Sequence, residues 1–310
     1  MRDKTGVIDS TVKNSKHICG FAAIVGLPNA GKSTLMNRFI CEKVSIVSPK
    51  PQTTRSNVTC ILTTENYQII FIDTPGILKP RYRMQEVMVS YITAAVEESD
   101  ICLVIIDAAA FRGSFLPELI QFAERVDASR VVVALNKIDL MKKPDLLPII
   151  KKTSGLFPGC EIIPISALNG DGVDELLIAI LSRLPESPSL YPEDVISHEP
   201  ERFFVSELIR EAVFLSMKQE IPYASAVVID RFEEKKPKVV IHASILVEKK
   251  SQKAIIIGKD GSTIREIGIK SRLGIEAFLG RDVFLDLHVK IRDNWRNKDT
   301  CLREIGLIRR

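Results

Sequence analysis

At 310 residues, 45% of them hydrophobic and 26% charged, the chain exceeds the usual span of one domain and has an ordinary globular balance. No run approaches the roughly 18 to 20 uninterrupted apolar residues that a membrane-spanning helix needs. Six cysteines without C-x-x-C spacing disfavour a zinc centre or a disulfide framework and point to reduced thiols in a cytoplasm.

The net charge of +4 is unevenly shared: residues 201–310 carry +6 and the first 200 carry −2. That asymmetry is a weak pointer to an anionic partner such as nucleic acid or a membrane surface.

Residues 1–17 are polar and mixed in charge, without the apolar core of a secretory signal, and read as a flexible N-terminal extension. Over residues 18–185, short β-branched runs at 21–25, 58–62, 69–72, 101–106, 131–135 and 162–165 alternate with amphipathic stretches. Those stretches, at 32–40, 84–97, 116–124, 146–152 and 173–184, predict helices. The alternation predicts an α/β domain with a mostly parallel, doubly wound sheet covered on both faces. Three prolines within 185–192 neither continue a helix nor sit inside a sheet, so residues 186–200 read as a linker.

Beyond the linker, apolar spacing predicts a helix over 202–218, then strands 224–232 and 239–247 joined by a charged turn at 233–237. A short apolar stretch at 254–257 leads into a Gly-x-x-Gly turn, a helix over 262–278 and a strand over 283–291. Residues 201–295 therefore form a smaller α+β domain, with 296–310 as a tail or short helix. No internal repeat is visible.

The segment Gly26, Leu27, Pro28, Asn29, Ala30, Gly31, Lys32, Ser33, Thr34 follows an apolar strand and opens an amphipathic helix. In that setting G-x-x-x-x-G-K-[ST] is a phosphate cradle: the glycines turn successive amides inward and Lys32 places a charge on the β and γ phosphates. The Ser33 hydroxyl ligates Mg²⁺. Asp73, Thr74, Pro75 and Gly76 end the strand at 69–72, so Asp73 can hold Mg²⁺ through water and the Gly76 amide can sense the γ-phosphate.

Asn136, Lys137, Ile138 and Asp139 follow the strand at 131–135. A carboxylate at Asp139 can accept from guanine's ring N–H and exocyclic amine, a donor pair that adenine lacks, while the Lys137 stem can stack over the base. Ser166, Ala167 and Leu168 follow the next strand and can bring a backbone amide to the guanine oxygen. Between the first two motifs, Pro51, Gln52, Thr53, Thr54 and Arg55 form a polar loop in which a threonine hydroxyl could close over Mg²⁺ and γ-phosphate, as Thr54 is expected to.

Together these motifs resemble the GTP-binding domain of the bacterial Era-type GTPases, over about residues 18–185. The resemblance implies a GTPase with slow intrinsic turnover, in a class that handles ribosomes and RNA. Most small switch GTPases carry a water-orienting glutamine after Asp-x-x-Gly; here that position is Ile77. In related GTPases an asparagine at the position of Asn29 helps to bind a potassium ion, which implies K⁺ as a further cofactor beside GTP and Mg²⁺.

Ile257, Gly258, Lys259, Asp260 and Gly261 match the turn with which KH domains clamp a single-stranded backbone of about four nucleotides. Lys253, Arg265, Lys270 and Arg272 could add charge along the adjoining groove. Helix, hairpin, helix, Gly-x-x-Gly, helix, strand is the plan of the type II KH fold, and the segment again resembles Era, from about 202 to 295. One departure is Asp260, a carboxylate where a glycine is common and phosphates should pass. Trp295, the only tryptophan, reads as a core side chain rather than a base-stacking one.

The resemblance implies the 3′ end of 16S ribosomal RNA as target, assembly of the small ribosomal subunit as role, and a monomer with some peripheral membrane contact. The competing reading is a switch that docks a protein, or a membrane surface through its basic end at 303–310, without binding RNA.

Overall fold

A computed structural model of the chain describes residues 17–42, 45–46, 50 and 52–308. The expected N-terminal extension, apart from His17, lies outside the described residues, as do Pro51 and the arginines at 309 and 310. The chain divides into two compact units. The first takes in the residues up to Ser45, Thr54–Lys79 and Met88–His198, and the second takes in Ile46–Thr53, Pro80–Val87 and the residues from Glu199 onward.

The first unit is built on β1 (Ile18–Gly26), α1 (Lys32–Ile40), β2 (Val58–Thr63), β3 (Tyr67–Asp73), the part from Met88 onward of α2 (Arg83–Glu98), β4 (Ile101–Asp107), α3 (Pro117–Ala123), β5 (Val131–Asn136), α4 (Lys143–Leu156), β6 (Glu161–Pro164) and α5 (Val173–Leu181). Its sheet runs in the order β2-β3-β1-β4-β5-β6. Only β2 is antiparallel to its neighbour; the other pairings are parallel. Strands β3 and β5 are buried along their whole length, and β4 is buried up to Ile106, as near-continuous apolar runs must be when both sheet faces are covered. Because β1, β3, β4, β5 and β6 all point the same way, Gly26, Asp73, Asn136 and the chain after Pro164 reach one edge of the sheet.

The first unit departs from the sequence expectation at α4 and at the linker. Helix α4 begins at Lys143, three residues before the amphipathic spacing does, because Pro144 sits in the first turn, where a missing N–H costs nothing. The proline-rich stretch before the second unit is not a free connector up to His198. Cys19 N donates to Pro185 O and Ser187 N to His17 O, and Ile61 N donates to Ile196 O. Gln68, fully buried in β3, accepts from the amides of Leu190 and Tyr191 and donates to Tyr191 O.

The second unit contains α6 (Glu201–Ser216), α7 (Ile221–Ala224), β7 (Ala226–Glu234), β8 (Val239–Val247), α8 (Lys250–Ile257), α9 (Ser262–Leu279), β9 (Val283–Ile291) and α10 (Asp299–Glu304). Its sheet order is β7-β8-β9, antiparallel between β7 and β8 and parallel between β8 and β9. Alternate residues of β8, from Val239 through Ile241, Ala243 and Ile245 to Val247, join Val205, Ile209 and Val213 of α6 and Ile267 and Ile275 of α9 in one core. Helix α8 is longer than its apolar end suggests. It starts after Lys249, where the Gln252 side chain accepts from the amides of Glu248 and Lys249. Trp295 is fully buried and donates from Nε1 to Ala224 O at 3.0 Å, so it is a packing residue, as expected.

Candidate functional site

The phosphate loop leaves β1 at Gly26, where a side chain would lie 2.3 Å from Ile105 O on the neighbouring β4. Asn29 and Gly31 adopt positive φ of 63° and 100°, which curls the loop back before α1 begins at Lys32. Lys32 is buried and spans the loop from inside, donating to Gly26 O and Leu27 O, each at 3.1 Å. Burial pulls its ammonium down to about 8, a shift that the nearby Asp73 carboxylate opposes. The group is therefore a buried cation held on carbonyl oxygens and poised for stronger acceptors.

Asp73 is fully buried at the end of β3. Its Oδ2 accepts from Ser33 Oγ at 2.8 Å, and Ser33 Oγ lies 3.2 Å from Thr54 Oγ1, while Asp73 Oδ1 has no partner among the described residues. Burial raises the carboxyl's pKa against the charge of Lys32. An orphaned carboxylate oxygen beside two hydroxyls is an all-oxygen donor set, and it fits a hard divalent cation such as Mg²⁺. Thr53 is half-buried and Thr54 is the buried member of the pair, so of the two threonines it is Thr54 that the structure brings to Ser33.

Gly76 comes against the phosphate loop: a Cβ there would meet Pro28 backbone and ring atoms at 2.7 to 2.9 Å. Ile77 N donates to Gly26 O at 3.0 Å and its side chain is buried in the core with Ala23, Val25 and Ile72. The position that carries glutamine in other switch GTPases is therefore turned into the protein. Thr74 is structural, its hydroxyl donating to Ile24 O at 2.8 Å.

Asn136 joins two loops. It is 2% exposed; its Nδ2 donates to Ala30 O at 2.8 Å and its Oδ1 accepts from Ala167 N at 2.9 Å. Gly31 makes room for it, since a Cβ there would stand 2.1 Å from Asn136 Nδ2. Ile138 N donates to Ile165 O, and Ser166 Oγ donates to Asp139 Oδ1 at 2.6 Å, so the 136–139 and 166–168 segments form one unit. Lys137, at φ 68°, extends its ammonium to Asp107 Oδ2 at 2.6 Å. Asp107 at the end of β4 was not singled out in the sequence; its place beside β5, opposite Asn136, was the only signal. Arg38 was also missed. It reaches from the last turn of α1 to Ala167 O at 2.7 Å and to Leu168 O.

In the second unit the Gly-x-x-Gly turn joins α8 to α9. Gly258 and Gly261 both have φ of 73°, and Asp260, at φ 52°, is exposed. A groove of about 440 Å³ runs beside the turn, lined by Gly261, Ile264, Arg265, Gly268, Ile269 and Arg272 of α9 and its entry, with Leu285 and Leu287 of β9. Arg265 and Arg272 thus lie where expected. Lys270 does not: its ammonium turns to Glu266 at 2.7 Å and to Ser216 Oγ at 3.4 Å. Lys253 and Ile257 are half-buried on α8 and do not line the groove, and Ile257 packs on the core. The apolar floor from β9 was not foreseen, because it exists only once β9 pairs beside β8.

A P-loop sheet with these four motifs, joined to an α-β-β-α-α-β unit with a Gly-x-x-Gly turn, defines a GTPase carrying a type II KH domain. A family model described as a 50S ribosome-binding GTPase matches residues 21–137, and a KH-domain model matches residues 220–296. The chain is 40% identical over 306 residues to GTPase Era of Nitratidesulfovibrio vulgaris strain DP4, covering 96% of this chain and 99% of that one. It is similarly 40% identical to GTPase Era of the Miyazaki F strain, over 94% of this chain and 98% of that one.

Among solved structures, Era from Aquifex aeolicus bound to GDP·AlF4⁻ superposes with a TM-score of 0.89 at 37% identity, covering 94% of this chain and all of that one. Era in complex with MgGDPNP and nucleotides 1506–1542 of 16S ribosomal RNA superposes with a TM-score of 0.90 at 38% identity, with the same coverage. The chain belongs to the GTPase Era family and is a GTPase.

Proposed function

We propose that this GTPase binds GTP and Mg²⁺ in the first unit, binds single-stranded RNA in the groove of the second, and uses nucleotide state to control RNA engagement during small-subunit assembly. The observation that carries the RNA half is the groove itself, with its Leu285 and Leu287 floor, the flanking Arg265 and Arg272, and the glycine turn at its mouth. Relatives solved with MgGDPNP and a 16S fragment, and with GDP·AlF4⁻, support the same ligands here.

In this reading Lys32 turns from the loop carbonyls to the β and γ phosphates, aided by the inward amides of residues 26–34. Ser33, Thr54 and, through water, Asp73 would hold Mg²⁺, whose charge would offset that of the phosphates. The Gly76 amide senses the γ-phosphate, Asp139 reads the guanine N–H donors, and Lys137 covers the base. With Ile77 buried, no side chain at that position orients water. Asn29, an exposed residue of the loop at φ of 63°, is proposed to help hold K⁺; equal GTP turnover in potassium and sodium at one ionic strength would refute this.

The target proposed is the 3′ end of 16S ribosomal RNA in the small subunit, met in the cytoplasm by a monomer. Crosslinking the purified protein to total RNA with GTP or GDP present, and sequencing what is recovered, tests it: enrichment of that segment with GTP is expected, and random recovery would leave only the GTPase. Asp260→Gly should tighten RNA binding by removing a carboxylate from the phosphate path.

Among the described residues no helix is long and apolar enough to cross a membrane. A weak peripheral contact with the inner membrane face is therefore proposed to rest on the basic C-terminal end. Sedimentation with anionic vesicles checks it, and strong lipid binding without an RNA shift would favour a membrane-surface switch instead.

A further inference from the structure

The loop after β6 is held from two directions. Asn136 takes the N–H of Ala167, while Arg38 takes the carbonyl of the same residue with Nε at 2.7 Å and the carbonyl of Leu168 with Nη2. The guanidinium has a made-to-fit recess: Gly170 has φ of 100°, and a Cβ there would stand 2.8 Å from Arg38 Nη1. A planar fork of donors suits two successive carbonyls, and a lysine ammonium at the end of a flexible stem does not. In a trans peptide the carbonyl and the following N–H point in opposite directions, so fixing Ala167 O also fixes where the Leu168 N–H points.

We propose that Arg38 is a positioning residue for base recognition: by holding the Ala167 and Leu168 carbonyls it presents a backbone N–H of this loop to the 6-oxo group of guanine. The proposal rests on reading residues 166–168 as the base loop. Its logic is one of span. Arg38 stands in the last turn of the nine-residue helix α1, whose first two residues are Lys32 and Ser33, so one rigid element sets the separation between the phosphate donors and the base donors. Asn136 makes the same connection through Ala30. Two ties at different heights fix the loop's tilt as well as its distance, and a hydrogen bond to the 6-oxo oxygen depends on both.

The test uses the full chain with Arg38→Met and Arg38→Lys. Affinities for GDP and for 6-thio-GDP, whose sulfur is a poorer acceptor, are read by displacement of a fluorescent GDP. GTP turnover is resolved into kcat and KM, and thermal unfolding without nucleotide confirms that each variant is folded. Wild type should prefer GDP over the thio analogue. Arg38→Met should lose about tenfold in GDP affinity, the scale of a hydrogen bond to a charged group, with the preference falling toward one. The loss should appear in KM with kcat within twofold, and Arg38→Lys should lie between.

Equal losses for the two nucleotides, a GDP affinity within twofold of wild type, or a wild-type preference already near one would each overturn the proposal. Absence of GDP binding by wild type would instead overturn the nucleotide-site reading on which it rests.

Discussion

Replacing Asn136 by alanine should damage guanine-nucleotide binding without touching the phosphates. The side chain is 2% exposed and uses both ends, at 2.8 Å to Ala30 O and 2.9 Å from Ala167 N. Truncation leaves a buried carbonyl and a buried N–H without partners, each costing about 1 to 3 kcal/mol. In the nucleotide-free variant the two loops can part and let water reach these groups, so the cost falls on the bound form, at about 2 to 4 kcal/mol or roughly 30- to 1,000-fold in affinity. The pin does not reach the γ-phosphate, so GDP and GTP should suffer alike. Stopped-flow release of fluorescent GDP and of a non-hydrolysable GTP analogue measures both losses. Binding within threefold of wild type, or a loss confined to the triphosphate, would refute the argument that the pin sets the distance between phosphate loop and base loop.

Lys32 should make nucleotide binding take up a proton. Its folded pKa of about 8 lies below the usual 10.5, so between those values the unfolded chain holds a proton that the folded protein has shed. The nucleotide-free protein accordingly gains stability as pH rises through that window. Nucleotide phosphates restore the ammonium, so titration of GDP near pH 9 in EDTA should absorb about 0.9 proton per site, read calorimetrically in two buffers of different ionisation enthalpy; no uptake would contradict this. Ile77→Gln should fail to speed GTP hydrolysis and should destabilise by about 1 to 3 kcal/mol, because it buries an amide in the core with Ala23 and Ile72. Chemical denaturation and turnover assays check both halves, and a faster enzyme would show that the side chain can swing out. Gly258→Ala forces a side chain to φ of 73° with its Cβ 2.2 Å from Thr263 Oγ1. RNA affinity should drop while GTP turnover stays at the wild-type rate, and unaltered RNA binding would place the RNA elsewhere.

The alternation of β-branched runs and amphipathic stretches carried the first sheet, and each phosphate or base motif stands at the end of the strand expected. Local pattern suffices there because a strand buried on both faces must be apolar throughout, and a loop that cradles phosphate needs its glycines at fixed spacing. Pattern failed where a partner lies far along the chain. Gln68 looks out of place in an apolar strand, and nothing near it says that it will bind residues 190 and 191. The prolines after residue 184 exclude helix and central strand, but a proline-rich segment can still lie along a sheet edge as this one does.

The same limit explains how the two recognition sites differ in legibility. The proposed base site rests on Asn136, Asp139 and Ser166, which stand in recognisable motifs, but its geometry is set by Asn136 contacting Ala30 and by Arg38 contacting Ala167, at sequence separations of 106 and 129 residues. In the second unit the glycine turn was visible while the groove floor was not. Leu285 and Leu287 fall on one face of β9 by strand periodicity, but that face becomes a groove wall only because β9 runs parallel beside β8, and α9 lies across it. Lys270 shows the converse error. It shares a helix with Arg265 and Arg272, yet at 3.6 residues per turn it sits about 140° around the axis from Arg265, on the side where Glu266 and Ser216 receive it. Counting cations along a helix overstates a groove's charge; helical phase decides which of them face the groove.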